Sequence, residues 1–198
     1  MSELKKLNKR WAAQVTIGDC NNDELLKAAS SAGCKYLFVG LESFSDNTLK
    51  GVNKALNKTG DYKSIIEKIH RNKILVQAGI VFGFDTDTKD IFDKTLDACE
   101  EIGIDGVTVS ILTPFPKTPI YNQLREEGRL LTENWTYYNS KTSVVFQPRN
   151  MTADELFDGY MRFRRKFYSL RSFIKRMRVS RTNVIYNFII NLGYWMAI

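Results

Sequence analysis

Short apolar runs alternate with amphipathic stretches through the first two thirds of the chain. WAAQVTIG over 11–18 predicts a strand, and Asn21, Asn22 and Asp23 supply capping oxygens for a helix over DELLKAASSA that Gly33 closes. CKYLFVGLES over 34–43 is the second strand, followed by a short helix in SDNTLKGVNK and a longer one over 61–73. ILVQAGIVFGF over 74–84 is the third strand, with a helix over 88–103 ending at Gly103, and DGVTVSILTPF over 105–115 is the fourth. Continuously apolar strands separated by amphipathic helices predict a parallel sheet covered on both faces.

Beyond Pro119 the alternation stops. IYNQLREEGRLL predicts a helix that exits at Gly128, and ENWTYYNSKTSVVFQPRN reads as extended and aromatic. Thr152 and Glu155 stand in capping-box spacing before a long helix. Along it Leu156, Tyr160, Phe163, Phe167, Leu170, Ile174 and Met177 recur at steps of four and three, which predicts one continuous apolar seam. The last segment, TNVIYNFIINLGYWMAI, is shorter than the ~20 residues needed to span a bilayer. In it Asn183, Asn187 and Asn191 form a polar stripe opposite Val184, Ile185, Phe188, Ile189 and Leu192. The expectation is a closing helix that buries Phe188 and Leu192; the alternative is an interfacial membrane helix, with Arg176, Arg178 and Arg181 before it and Tyr194-Trp195 at its end.

Composition changes this picture in one respect. Of the 29 basic residues, nine lie between Gly159 and Ile198, where there is no carboxylate, so the formal charge of +7 belongs to the C-terminal appendage and the body is slightly acidic. Such an appendage suits phosphate of lipid or nucleic acid, or the protein's own acidic surface; nucleic acid is the poorer reading, because the aromatics follow the apolar seam. The three cysteines, Cys20, Cys34 and Cys99, match no zinc or C-x-x-C spacing and read as reduced, packed thiols of a cytoplasmic protein. MSELKKLNKRW has no apolar run behind its charges, unlike a secretory signal peptide.

Ligands of parallel strand–helix arrays meet the carboxyl ends of the strands, where free backbone N–H groups collect. Those ends read Gly18-Asp19-Cys20, Gly40-Leu41-Glu42-Ser43, Gly83-Phe84-Asp85-Thr86-Asp87 and Leu112-Thr113-Pro114-Phe115-Pro116. Helix capping alone accounts for Asp19 or Ser45, but the set together predicts a polar, ligand-facing rim.

The runs WAAQVTI, DELLKAASSAGCKYLFVGLES, NKALNKTGDY, GIVFGFDTDTKDIF and ILTPFPKTPIYNQLREEGRLL, continued by NWTYYNSKTSVVFQPRNMTADEL and MRFRRKFYS, resemble the C-terminal part of cobalamin-binding radical S-adenosylmethionine proteins over about residues 11–175. The resemblance implies an α/β fold, part of a (β/α)6 partial TIM barrel with a C-terminal helical appendage. It divides the chain into a barrel portion over 1–119, a mostly helical domain over 120–180 and an amphipathic tail over 181–198. It matches Glu42 and Ser43 to the residues that hold the methionine amino group and the ribose hydroxyls, roles that suit a carboxylate and a hydroxyl. Gly79, Val81 and Gly83 match a G-x-I/V-x-G strand that packs on adenine. Asp85 stands where the family commonly has Glu, and Lys54 and Asn57 match a K-x-x-N that reaches ligand or substrate.

The family's C-x3-C-x2-C, which ligates a 4Fe–4S cluster, is absent from this sequence, as is the cobalamin-binding D-x-H-x-x-G; the one histidine, His70, falls on a predicted helix with a surface or packing role. Pro116-Lys117-Thr118-Pro119 replaces the usual P-G-T-P, which puts a tight backbone approach there in question. The resemblance therefore implies a fragment of a radical enzyme whose parent uses S-adenosylmethionine, a 4Fe–4S cluster and, in some members, cobalamin, for methyl transfer or methylthiolation; no cofactor is expected to bind this chain tightly alone. Its expected partners are the missing half of the barrel, or a second copy through the open edge of the first strand, and, on the alternative reading of the tail, a membrane surface, with a cytoplasmic location or one peripheral to the inner membrane face. The alternative is a non-catalytic binding or membrane-surface module built on a half-barrel.

Overall fold

The computed structural model describes residues 2–51, 58–180 and 182–196. In chain order its elements are α1 (Ser2–Lys6), β1 (Trp11–Val15), α2 (Asp23–Ser31), β2 (Cys34–Glu42), α3 (Asp46–Gly51), α4 (Thr59–Arg71), β3 (Leu75–Phe82), α5 (Ile91–Ile102), β4 (Gly106–Ile111), α6 (Pro119–Glu126), α7 (Ala153–Phe167), α8 (Leu170–Ser180) and α9 (Val184–Met196). The four strands are parallel and lie in the order β1-β2-β3-β4, with β1 at one end of the sheet. Each crossover carries a helix, as parallel neighbours require.

One face of the sheet makes the core. Leu37, Val39 and Leu41 of β2, Val76, Ala78, Ile80 and Phe82 of β3, and Val107, Val109 and Ile111 of β4 are buried there, under residues such as Leu26, Ile66, Leu96 and Phe163 of the helices. The opposite face is only partly covered, and the expectation of a sheet covered on both faces does not hold. Its residues are Ala12 and Gln14, then Tyr36, Phe38, Gly40 and Glu42, then Gln77, Gly79 and Val81, then Thr108 and Ser110. Gln14, Gln77, Thr108 and Ser110 on this face, with two glycines among them, show the physical reason: the apolar character of the strands belongs to every second residue.

The long C-terminal helix is broken. Tyr168 turns inward, where its hydroxyl donates to Val107 O at 2.7 Å, and Ser169 caps a new helix through Ser172 N–H at 3.3 Å. The seam therefore runs through Leu156, Tyr160, Phe163 and Phe167 and stops. Leu170 and Ile174 are 67% and 44% exposed, and α8 buries Ser172, Phe173, Arg176 and Ser180 instead.

The tail helix α9 closes the amino end of the sheet, but the other way up. Asn187 and Asn191 are buried, and Phe188 and Leu192 are exposed. The partner of the asparagines is Asp105, just before β4, which also accepts from Ser180, Thr182 and Val76 N–H and faces His70 Nε2 at 2.9 Å. Arg176 is fully buried beside it and donates to the carbonyls of Ile104, Asp105 and Phe167 and to Asn191 Oδ1, with its guanidinium 3.8 Å from the Phe167 ring. A buried cation and a buried carboxylate are tolerable because nearly every lone pair and proton is matched.

Lys117 has φ +69, the left-handed conformation a glycine adopts freely, and is followed by Thr118, whose hydroxyl caps α6 at Tyr121 N–H. Lys117→Gly is expected to raise stability by about 0.5–1 kcal/mol. Urea unfolding measures it, and a loss of stability would contradict the strain.

Candidate functional site

The carboxyl rim of the sheet is shaped by a strained turn. At the end of β2 Glu42 has φ +67, and Ser43 N–H donates back to Leu41 O at 2.8 Å, a three-residue turn of the rare, strained kind. The β2–β3 register shifts between Gly40 and Glu42 at this point. The Tyr62 hydroxyl, buried under the rim, donates to Leu41 O at 2.9 Å and holds the turn from below. The consequence is that Glu42 projects to the open face, over Gly40, where an added Cβ would stand 2.9 Å from its Oε1.

Glu42 lines a concavity of about 270 Å³ together with Gln14, Thr16, Asp19 and Gly40. Asp19 accepts from the N–H and the hydroxyl of Thr16 at 3.0 and 2.6 Å, and these bonds hold its carboxyl below the usual carboxylate range. Two carboxylates and a threonine hydroxyl at the adjacent ends of β1 and β2 can accept from a cationic group with hydrogen bonds to give. An amino acid's ammonium is such a group.

The other residues expected at the site are placed as follows. Ser43 is 3% exposed, turned under the rim, and its hydroxyl accepts from Ser45 N–H at 3.1 Å. Gly79 lies on the open face beside Gly40, and the Phe38 ring covers it: a Cβ there would be 2.8 Å from Phe38 Cζ. Val81 is half-buried two residues on, on the same face. Gly83 has φ +107, and its bare α-carbon lets Leu156 of α7 and Phe146 close in, to 2.9 and 3.2 Å of where a Cβ would be. Asp85 joins a different cluster. Arg129 grips it with two bonds of 2.6 and 3.1 Å and Arg149 adds a third at 2.7 Å, with Glu127 bound to the same two guanidiniums. Burial opposes ionisation there, yet these bonds hold the Asp85 carboxyl below its ordinary range. Glu42, Ser43 and Asp85 thus share the carboxyl end of the sheet but not one concavity. Lys54 and Asn57 lie outside the described residues.

Asp87 belongs to the rim and was not singled out from the sequence. It is 2% exposed, and its Oδ2 accepts from Gly83 N–H at 2.9 Å and Phe84 N–H at 3.1 Å, which fixes the loop after β3. The signal for it was its spacing, four residues after a strand-ending glycine. Burial pushes its carboxyl up to about 6 against those two bonds. A carboxyl whose pKa rises on folding stabilises the fold fully below its unfolded value, near 4, and that contribution is lost as pH rises through about 6. The wild type is therefore expected to gain up to about 1–3 kcal/mol relative to Asp87→Asn as pH falls from 7 to 4. A difference between the two that stays flat over this window in urea unfolding would refute the assignment.

The cysteines do not line the concavity at this rim. All three are buried in the core, and desolvation pushes Cys20 up to about 12 and raises Cys34 and Cys99 as well. His70, the chain's one histidine, is packed on Asp105 at the amino end of the sheet, opposite the rim.

Residues 118–187 match a domain family described only as a domain of unknown function, DUF4070. Over 190 residues, 95% of this chain, the sequence is 28% identical to bacteriochlorophyllide d C-12(1)-methyltransferase of Chlorobaculum tepidum, of which it covers 41%. It is also 28% identical, over 80% of its length, to the anaerobic magnesium-protoporphyrin IX monomethyl ester cyclase of Cereibacter sphaeroides, of which it covers 26%. The chain thus spans well under half the length of these relatives. In fold it resembles the radical S-adenosylmethionine methyltransferase TsrM of Kitasatospora setae, solved with cobalamin and a 4Fe–4S cluster bound, with a TM-score of 0.54 and 18% identity over 64% of this chain and 25% of that one.

Proposed function

From a chain that matches, in sequence and in fold, the C-terminal part of a cobalamin-binding radical S-adenosylmethionine protein, we infer that it supplies the half-barrel wall that receives the amino-acid end of S-adenosylmethionine. One observation carries this reading: the strained turn that sends the Glu42 carboxylate onto the open face, into a concavity shared with Asp19 and Thr16. A cofactor's ammonium bound there would form a charge-assisted bond with the Glu42 carboxylate, at a point preorganised by Tyr62. S-adenosylmethionine on a reduced cluster supplies methyl transfer or hydrogen abstraction by the 5′-deoxyadenosyl radical in such enzymes. The work of this chain is narrower. Glu42 orients the cofactor's amino group, Gly40 leaves room on the open face for the Glu42 carboxylate, and the Asp85–Arg129–Arg149 cluster fixes the appendage to the rim.

The reading also holds that the chain makes no radical alone, since its thiols are buried and matched to no cluster spacing. The test extends the chain at its amino end with the coding sequence that precedes it. That sequence should carry C-x3-C-x2-C, and the longer protein, reconstituted anaerobically with iron and sulfide, should cleave S-adenosylmethionine while residues 1–198 do not. Cleavage by the short chain would refute the dependence on a second half; an upstream sequence without the motif would favour the non-catalytic module.

A further inference from the structure

α9 is mounted with its polar stripe inward. Asn187 and Asn191, 1% and 4% exposed, are tied to Asp105 and Arg176, so the stripe that reads as the water-facing side is the one that grips the body. At 100° per residue the opposite side is formed by Ile185, Ile189, Leu192 and Met196, which are 73%, 61%, 41% and 74% exposed, with Phe188 and Trp195 beside them. Phe173 of α8 meets Phe188 edge-on at 5.8 Å, and this contact joins the surface to exposed Leu170 and Ile174. Arg171 and Arg178, both exposed, follow Ile174 around α8 and border the apolar area. No carboxylate occurs from residue 159 onward.

An apolar area this large on one helix pair marks a contact surface rather than a random scatter. We propose that the outward face of α9, with Leu170 and Ile174 of α8, docks on the surface of a bilayer containing anionic lipid. Three features select this occupant. The rim is basic and matches lipid phosphate. The helix of 13 residues is about 20 Å long, and no described helix is long and apolar enough to cross a membrane, so it would lie in the interface plane. A second copy would bring the same uncompensated arginines against Arg171 and Arg178, a like-charge contact that opposes self-pairing. The uncharged Asn187 and Asn191 are no objection to an interfacial helix, because they face protein and the arginines of α8 provide the charge.

The test is co-sedimentation of the full chain with vesicles of phosphatidylcholine alone or mixed with phosphatidylglycerol. Binding is expected with the mixed vesicles, weakening as salt is added. Arg171→Gln and Arg178→Gln should each weaken it about fivefold. Ile185→Asp with Met196→Asp should weaken it at least about tenfold, with an unchanged melting temperature because both side chains, 73% and 74% exposed, point away from the body. If that double variant fails to fold, tryptophan fluorescence of the wild type against Trp195→Phe decides: quenching by brominated lipid that is lost in Trp195→Phe supports insertion, and its absence overturns it. Binding that ignores phosphatidylglycerol and salt, or no binding at all, also overturns the proposal. So does a dimer in sedimentation that the double variant abolishes without any vesicle binding, since the face would then belong to a second copy.

Discussion

Asp105→Ala is expected to cost about 3–5 kcal/mol and to detach α9 from the body. Asp105 is 2% exposed, and both of its oxygens are in use. Oδ2 accepts from Val76 N–H at 2.7 Å and meets His70 Nε2 at 2.9 Å; Oδ1 accepts from Ser180 at 2.6 Å, from Thr182 at 3.0 Å and from the Asn187 amide. Alanine leaves these donors buried without this acceptor and removes one of the two carboxylates, with Glu100, whose charge favours the Arg176 cation. The donors come from α4, β3, α8 and α9, so one carboxylate holds four elements together. Urea unfolding gives the free energy, and proteolysis within 184–196 reports the release of α9. A loss below about 1 kcal/mol with α9 still protected would mean that the network is peripheral.

Gly159→Ala is expected to cost about 3 kcal/mol by overpacking. A β-carbon at Gly159 would stand 2.2 Å from the Phe92 ring, which is itself pinned against Phe82 at 4.7 Å between centroids. Neither ring has room to withdraw, because Phe163 closes on Phe82 from α7 at 5.2 Å. α7 must therefore move off α5, loosening the Leu156 contact at Gly83. A double-mutant cycle with Phe92→Leu separates this from a change in helix propensity: the second substitution should restore much of the loss. Additive effects would place the cost elsewhere.

What was legible in the sequence is what depends on local pattern. Four apolar runs became four parallel strands, Asn22 caps α2 at Leu25 N–H, and Thr152 and Glu155 form the capping box of α7. The open face was hidden because ILVQAGIVFGF reads as uniformly apolar, although Gln77 and Gly79 fall on one side and Val76, Ala78 and Ile80 on the other. The break between α7 and α8 was hidden because the period of the seam continues through it; what interrupts it is the bond of Tyr168 to Val107, 61 residues away. The inversion of α9 depends on Asp105, and no pattern within 182–198 reveals a carboxylate 82 residues earlier in the chain. At the rim, Glu42 was legible as a strand-end carboxylate, but the turn that aims it outward and Ser43 inward was not. Asp85 and Asp87 share one short loop, yet two arginines from the appendage claim the first and two backbone N–H groups the second.

The central claim is that the amino-acid end of S-adenosylmethionine meets this chain at Glu42, and it is tested most directly by residue-resolved NMR. The isotope-labelled chain is titrated with S-adenosylmethionine, against a Glu42→Gln variant in parallel. The account predicts weak, saturable shifts at Thr16, Asp19, Gly40 and Glu42, the residues of the concavity, with affinity reduced about tenfold in the variant. Shifts that gather elsewhere, that are the same in Glu42→Gln, or that fail to develop at millimolar ligand would contradict it.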